Sequence, residues 1–287
     1  MADRIDSLSI KLQGQEGNDK LAEEYGKVID NVQKNTLSTR LKNTDLSGQP
    51  TAGTVEAKRF TNVSGKSYGT ARTSGKGQKI EAEPVTIKIN DDTEYISEVE
   101  EKDIMMYGVG GLIERRMAEH QKGLEVELED KFFAEAVSAG TSFTPSANNL
   151  SIEDEIEEAI QKLENVKNEY VRGVPRNMIN VVMNTAYYGK LRNKINAIPN
   201  SNGLGQVRDY EEGTFNNTKI FSSVFLPAGI NYVVMIDGAV AQPIRTSQYA
   251  PKKIELSDAT GFGFFAYKGT KAVTPDLIFY NGTVVSL

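Results

Sequence analysis

The longest regular pattern of hydrophobic and polar positions lies between Leu112 and Gly140. Apolar or semi-apolar residues recur there at helical spacing, with charged residues between them: Ile113, Met117, His120, Leu124, Leu128, Phe132 and Ala136. At ~1.5 Å per residue the predicted helix, which we call the spine helix, is roughly 40 Å long. Val126, Phe133 and Val137 add a second apolar side. We therefore expect its first half to lie on a sheet and its second half to be covered on both sides.

Two strand patterns before the spine helix predict a hairpin. Residues 54–60 form a short strand pattern, and residues 84–90 alternate apolar and polar side chains. The tip between them has roughly 20 residues and is rich in glycine and in basic residues, and such long tips are uncommon in compact domains. The sequence favours equally a tip that lies on a partner and a mobile surface loop. The stretch 91–107, acidic and then apolar, is expected to lead into the spine helix.

The chain from Ser151 onwards predicts a mixture of helices and strands. Ser151 is an expected N-cap, and acidic residues follow it in the first turn. The buried stripe of this helix is Ile152, Ile156, Ile160 and Leu163, and the next helix, 186–193, is capped by Asn184 or Thr185. Strands are predicted at 177–183, 219–225, 231–236, 253–256, 261–267 and 277–280, with a loop at 194–213 and a turn containing Pro227 and Gly229.

The first 50 residues are polar and weakly patterned. Residues 22–32 could form a short helix, and residues 35–53 are predicted to be extended or irregular. Such an arm buries little surface against its own domain, so we expect it to be disordered or to be ordered by a neighbour.

Composition excludes several classes of protein. The chain has 287 residues, no cysteine, one histidine and a net charge of −6. Disulfides, thiolate catalysis and cysteine-based zinc sites are therefore excluded, and the overall charge is not that of a nucleic-acid-binding protein. The polar N-terminus and the lack of a long apolar run predict no signal peptide and no membrane span, hence a cytosolic protein when made.

No cluster of residues predicts an enzyme site. His120 lies on the apolar stripe of the spine helix, where a packed or partly exposed histidine is expected, and a single histidine cannot build a two-histidine metal site. The acids between Glu153 and Glu158 are expected to form a solvated face. Asp91, Asp92 and Glu94 lack the spacing of a calcium loop. We predict no catalytic, cofactor-binding or metal-binding residue and no cofactor.

The order of these parts resembles the major capsid protein of tailed bacteriophages, which has the HK97-like fold. The strand 84–90, followed by acidic residues and the helix at 112–139, is similar to the family's extended loop returning into its spine helix. The segment Val181–Arg192, VVMNTAYYGKLR, resembles its strand-to-helix passage, and Gly213–Gly229 and Tyr232–Gly238 resemble the strands that follow. The resemblance covers about residue 50 to the end.

The resemblance implies an α+β, HK97-like fold with an N-terminal arm (1–50), an extended-loop hairpin (51–93) and a peripheral domain with the spine helix over a sheet (94–150). An α/β axial domain (151–250) and closing strands (251–287) complete it. It also implies homo-hexamers and homo-pentamers that form an icosahedral head around double-stranded DNA, which contacts the inner face non-specifically. Separate scaffolding, portal and decoration proteins are possible partners, no membrane is expected, and the location is the virion after assembly in the host cytoplasm.

The hairpin tip then becomes the candidate inter-subunit contact. Its basic residues are expected to meet acidic faces of neighbouring subunits. The basic candidates are Lys66, Arg72, Lys76 and Lys79, and the acidic candidates are Glu98, Glu100, Glu101, Glu125, Glu127 and Glu129. Some family members crosslink a loop lysine to an asparagine with the help of a glutamate; this chain has loop lysines and Asn281, but the glutamate has no match, so the crosslink is not carried over to this chain.

Three alternatives remain open at this point. An encapsulin-like nanocompartment shell shares the fold but encloses proteins, and another phage structural protein, such as a tail component, would build different assemblies. A carboxylate-dependent metal enzyme would use Asp91, Asp92 or the acids at 153–158.

Overall fold

The computed structural model describes residues 36–47, 53–65, 67–69, 81–100, 109–147, 149–196 and 213–284. Its helices are α1 (Leu37–Leu41), α2 (Val109–Ala139, the spine helix), α3 (Ile152–Glu164) and α4 (Thr185–Asn196), with 3-10 turns at Arg176–Met178 and Pro275–Leu277. The strands are β1 (Thr54–Phe60), β2 (Ala82–Lys88), β3 (Asp91–Val99), β4 (Thr141–Ser142), β5 (Ile179–Asn184), β6 (Gly213–Phe215), β7 (Thr218–Ser223), β8 (Ile230–Ile236), β9 (Val240–Ala241), β10 (Ile244–Lys253), β11 (Thr260–Lys268), β12 (Lys271–Ala272) and β13 (Ile278–Gly282). The predicted helix at 22–32 lies outside the described residues.

The chain divides into two compact units. The first contains the described residues of Met1–Arg40, Ile89–Glu129 and Pro243–Gly269, and the second contains those of Leu41–Lys88, Asp130–Gln242 and Thr270–Leu287. The domains expected from the sequence are consecutive segments of the chain, whereas these units each combine separate segments. The expected domain boundaries therefore stay a prediction.

The first unit is an antiparallel sheet, in the order β10-β11-β3, against which the first half of the spine helix packs. The His120 ring lies 5.8 Å from the Tyr95 ring and 6.1 Å from the Phe264 ring, centroid to centroid. A Cβ at Gly123 would lie only 3.1 Å from the Tyr95 ring, so this glycine allows the helix to approach the sheet closely. The predicted position of His120 as a packed helix residue is therefore confirmed.

The second unit contains a six-stranded mixed sheet in the order β4-β13-β8-β5-β7-β6. The β5–β7 and β4–β13 pairs are parallel and the other pairs are antiparallel. Its core joins the buried stripe of α3 to the continuous apolar run of β5, which is buried in the strand predicted at 177–183. Asn184 caps α4, because its Oδ1 accepts a hydrogen bond from the Tyr187 N–H at 2.7 Å.

Several predictions are wrong in detail. Val126 is 42% exposed, although Phe133 and Val137 are buried as expected. Within the segment predicted to be irregular, residues 37–41 form α1. The stretch after residue 90, expected to be a connection, begins with the nine-residue strand β3, and β10 begins at Ile244 rather than near 253.

Candidate assembly surfaces

The predicted hairpin is confirmed by the pairing of β1 with β2. The two strands are antiparallel from the Thr54–Lys88 pair to the Phe60–Ala82 pair. Ala57 and Ile87 face inward and form a small apolar cluster with Ala241 and Val273. Apolar side chains on the outer part of the hairpin, in contrast, are exposed: Phe60 by 57%, Val63 by 69% and Tyr68 by 94%.

The loop of residues 166–173, between α3 and β5, holds the outer part of the hairpin, and we call it the hairpin clamp. Arg59 lies over the Tyr170 ring at 4.1 Å and its Nη2 donates to Asp276 Oδ2 at 2.7 Å. The Tyr170 hydroxyl donates to Glu83 Oε2 at 2.5 Å. Asn62 N–H donates to the Glu169 carbonyl at 2.8 Å. Hydrogen bonds, an ion pair and a cation–π contact therefore meet at one place.

Asp276 carries the ion pair of this region, and its protonation state depends on Arg59. Burial alone would raise the pKa of this carboxyl, but hydrogen bonding to Arg59, the Arg59 charge and a hydrogen bond from Asn168 together lower it. A carboxylate with a lowered folded-state pKa stabilises the fold above its unfolded-state pKa, and this contribution is lost as the pH falls through the folded-state pKa.

We therefore predict that Asp276→Asn destabilises the subunit near neutral pH and that the difference from wild type shrinks on acidification below the ordinary carboxylate range. The free energy of unfolding, measured by denaturant titration of both proteins across the acid range, checks this. Asp258→Asn is the control, because Asp258 is exposed in the turn between β10 and β11. A gap between Asp276→Asn and wild type that stays constant down to strongly acid pH would contradict the assignment.

A buried ionic cluster joins the spine helix to the sheet of the first unit. The side chain of Lys268 is fully buried, and its Nζ lies 2.8 Å from Glu127 Oε1 and 2.6 Å from Thr93 Oγ1. Glu127 also accepts hydrogen bonds from Thr93 at 2.7 Å and from the Tyr95 hydroxyl at 2.9 Å. Burial alone would raise the pKa of Glu127, but these hydrogen bonds and the Lys268 charge lower it.

The predicted contact residues are distributed unevenly over the structure. Lys66, Arg72, Lys76, Lys79 and Glu101 lie outside the described residues. Glu98 is exposed, Glu100 is half-buried, and Glu125 is half-buried and accepts from Gln121 at 2.8 Å.

Two of the acidic candidates do not fit a contact with a neighbouring subunit. Glu129 is 3% exposed and accepts from the Ser38 N–H at 2.8 Å. Glu127 is engaged by Lys268, as described above. Both acids are part of the spine helix's contacts inside the first unit, which the helical pattern could not distinguish from outward positions.

Two of the α3 acids that were expected to be solvated, Glu155 and Glu157, are engaged with neighbouring groups, whereas Asp154 is exposed. Arg176 forms a fork between Glu157, at 2.7 Å, and Glu164, at 2.8 Å. Glu155 accepts hydrogen bonds from the Tyr187 and Tyr232 hydroxyls. These carboxylates each have a cation or a hydroxyl donor as a partner, so they connect α3 to its surroundings rather than facing water.

The described part of the chain contains no group of three or more histidine, aspartate or glutamate residues arranged to hold a metal ion. Among its helices, none is both long and apolar enough to cross a membrane.

Burial, together with the Arg116 charge, lowers the pKa of His120 despite the opposing effect of Glu119. Its Nε2 lies 2.9 Å from Ser97 Oγ.

Comparison of the sequence with protein-family models and with curated proteins finds no match. Solved structures do match the fold. The capsid structure of the cyanophage P-SCSP1u is 15% identical, with a TM-score of 0.59 and coverage of 88% of this chain and 89% of that one. The capsid of Ralstonia phage GP4 is 13% identical, with a TM-score of 0.57 and coverage of 82% and 84%. The chain has the HK97-like capsid fold.

The HK97-like elements expected from the sequence are therefore confirmed: the hairpin, the long helix over a sheet and the α/β region around β5 and α4. The same fold also occurs in the virus-like particle from Pyrococcus furiosus, which is 12% identical, with a TM-score of 0.56 and coverage of 88% of this chain and 95% of that one. The HK97-like fold is therefore shared with phage capsid structures and with this particle alike.

Proposed function

We propose that the chain is a non-enzymatic shell subunit, the major capsid protein of a tailed bacteriophage, which forms the hexamers and pentamers of an icosahedral head around double-stranded DNA. The observation that carries this proposal is the similarity to capsid structures over more than four fifths of both chains. At these identities the fold is what is shared, so assembly is the step that experiment must establish.

The hairpin gives physical support to this proposal. Phe60, Val63 and Tyr68 are exposed along its outer part, although each has a large apolar surface. A second copy of the chain that covers them would remove this surface from water, and the same contact repeated by symmetry would build a ring. Many such modest contacts would stabilise a closed shell without any single strong site.

The charges of the hairpin tip define the contact more narrowly. The basic residues Lys66, Arg72, Lys76 and Lys79 would meet acidic faces of neighbouring subunits, for which the candidates are Glu98, Glu100, Glu101 and Glu125. Glu98 is exposed on β3, whose outward positions also include Asp92 and Glu94. Glu127 and Glu129 are left out of this set because they are engaged inside their own subunit.

Further partners follow from the same proposal. Separate scaffolding, portal and decoration proteins would act during or after assembly, and the head would be assembled in the host cytoplasm and end in the virion. Because the net charge is −6, packaged DNA would be contacted non-specifically through local basic surface rather than through the chain's overall charge.

Electron microscopy of the purified protein tests the proposal, alone and with charge-reversed hairpins. Wild type is expected to form closed shells or rings of five and six, whereas Lys76→Glu with Lys79→Glu is expected to lower the yield of shells. Glu98→Lys in the same chain should restore part of that yield, since it returns opposite charges to the interface. Unchanged shell yield in the double lysine variant would remove the proposed charge pairing.

Other results would favour the alternatives. Long tubes of stacked rings from wild type, without closed shells, would favour a tail component. Dispersed subunits that bind a divalent metal in a titration and hydrolyse a substrate would favour the carboxylate-dependent enzyme.

A nanocompartment shell is the second candidate, because the Pyrococcus furiosus virus-like particle is covered over 95% of its chain. The two candidates differ in what the particle contains. Particles isolated from the organism that makes the chain should hold nuclease-protected double-stranded DNA if the head proposal is right. Protein cargo without DNA would favour the nanocompartment.

A further inference from the structure

We propose that the hairpin clamp is a positioning element that sets the direction of the hairpin within the subunit, before the hairpin contacts a second copy. This inference rests on the proposed function, because a fixed direction matters for a segment that must reach a neighbour. Tyr170 is the central residue of the clamp. Its role follows from three groups of contacts, all of them inside the second unit.

An isolated two-stranded hairpin cannot hold a direction by itself. Two strands without a third strand or a large apolar face are marginally stable in water. In this chain β1 pairs only with β2 among the named strands of the described chain. The small cluster around Ala57 and Ile87 anchors the inner part of the hairpin, but it ends before the Arg59–Glu83 pair. The outer part therefore needs a separate support.

Tyr170 contacts both strands of the hairpin at one cross-strand pair. Arg59 on β1 and Glu83 on β2 face each other in the antiparallel register. The Tyr170 ring lies under the Arg59 guanidinium at 4.1 Å, and its hydroxyl donates to Glu83 at 2.5 Å. Because one side chain engages both members of the pair, any tilt or slip of either strand breaks at least one of these contacts.

Asp276 connects this cross-strand pair to the framework of the second unit. It lies in the 3-10 turn that directly precedes β13, a strand of the six-stranded sheet. It accepts from Arg59 Nη2 at 2.7 Å and from Asn168 Nδ2 at 2.5 Å. The Arg59 side chain is only 14% exposed, so water screens this ion pair weakly. Hairpin, clamp and sheet are thus joined through one carboxylate.

The clamp also follows the chain beyond the end of β1. Asn62 donates through its backbone N–H to the Glu169 carbonyl at 2.8 Å, and Arg172 donates through Nη2 to Ser64 Oγ at 2.5 Å. The clamp itself is kept compact, because Asn168 Oδ1 accepts from the Tyr170 and Val171 N–H groups. The clamp therefore contacts the chain beyond the end of β1 as far as Ser64.

A distance measurement on the subunit tests this role directly. The chain has no cysteine, so two introduced cysteines can be spin-labelled without background. Ala82→Cys places a label on the outer end of β2, beyond the Arg59–Glu83 pair, and Lys162→Cys places one on the exposed face of α3. Pulsed electron–electron double resonance then gives the distribution of distances between the two spin labels. Diluting labelled subunits with unlabelled protein keeps the measurement within one subunit even in assembled particles.

We expect one narrow distance in the otherwise wild-type chain and a clearly broader distribution in Tyr170→Ala. The yield of closed shells should fall roughly tenfold with it, as expected for the loss of one cation–π contact and one hydrogen bond to a charged group. Tyr170→Phe keeps the ring under Arg59 and should give an intermediate width. Arg116→Ala is the control, since its ion pair with Glu119 is exposed on the spine helix and should leave the distance distribution unchanged.

The possible outcomes separate this proposal from the proposed function. A distribution in Tyr170→Ala as narrow as in wild type, with normal folding by circular dichroism, would overturn the clamp. A broadened distribution with undiminished shell yield would overturn its role in assembly. If Tyr170→Ala does not fold, the widths for Tyr170→Phe and wild type decide instead. If wild type forms neither shells nor rings, self-assembly of the chain alone fails, while the distance distributions still decide whether the clamp fixes the hairpin.

Discussion

Lys268→Met is expected to lower the free energy of unfolding by about 3 kcal/mol, because it removes one partner of a buried ion pair and leaves the other behind. The Lys268 side chain is fully buried, and Glu127 retains only 24% of its side-chain exposure. Without the ammonium group, Glu127 must remain charged in a poorly hydrated place or take up a proton. The partial exposure of Glu127 places the expected cost at the lower end of the usual range for such pairs.

Denaturant unfolding of the unassembled subunit, followed by circular dichroism, measures this loss. Lys122→Met is the matched control, because Lys122 is exposed on the spine helix in the same unit, and it should change stability little. Lys268→Met combined with Glu127→Gln should recover part of the loss, since glutamine carries no charge and its single amide oxygen can still accept from either Thr93 or Tyr95. A Lys268→Met variant as stable as Lys122→Met would show that the cluster contributes nothing net.

The sequence predicted those elements whose pattern is local and strong. The spine helix, predicted at 112–140, spans Val109–Ala139, and the first hairpin strand matches its predicted limits. Both depend on side-chain periodicity over many consecutive residues, which the fold preserves wherever one face is buried. The Ser151 and Asn184 helix caps belong to the same class, since a cap acts within three residues of itself.

The strand β3 shows why polar strands are not predicted from side-chain periodicity. Its outward positions are Asp92, Glu94, Ile96 and Glu98, and its inward ones include Thr93 and Ser97. Alternation of this kind carries little contrast in hydrophobicity, although the strand pairs along its whole length with β11. Thr93 and Tyr95 are recognisable as inward residues only once Glu127, on a different element, is known to accept their hydrogen bonds.

The clamp and the ionic cluster could not be predicted, because their members are far apart in the chain. Arg59 and Asp276 are separated by 217 positions, and Lys268 and Thr93 by 175. A single sequence gives the charge of each residue but not its partner. For the same reason the sequence placed Glu127 and Glu129 on an outward face, whereas the fold turns both inward and leaves Glu98 exposed.

Gly282→Ala is expected to lower the free energy of unfolding by roughly 3 kcal/mol. The backbone conformation at this position is unfavourable for a residue with a Cβ, and the added Cβ would also clash with neighbouring atoms. Gly282 has a φ of 127°, a region that other residues rarely adopt. The added Cβ would lie 2.2 Å from the Gly229 carbonyl oxygen and 2.8 Å from Ile230 Cα. These are backbone atoms of the neighbouring strand connection, so no side-chain rotation relieves the contact.

Gly189→Ala provides a matched control with the opposite expected sign. Gly189 lies inside α4, and a Cβ there would meet nothing within 4 Å. Alanine in a helix interior is favoured over glycine by about 1 kcal/mol, so this variant should be more stable than wild type. Thermal and denaturant unfolding of the two variants compares the same chemical change at two glycines. Equal stability of Gly282→Ala and Gly189→Ala would contradict the tight packing between β13 and the turn before β8. A Gly282→Ala variant that is less stable than wild type would show that glycine is required at this position for β13 to pack against Gly229.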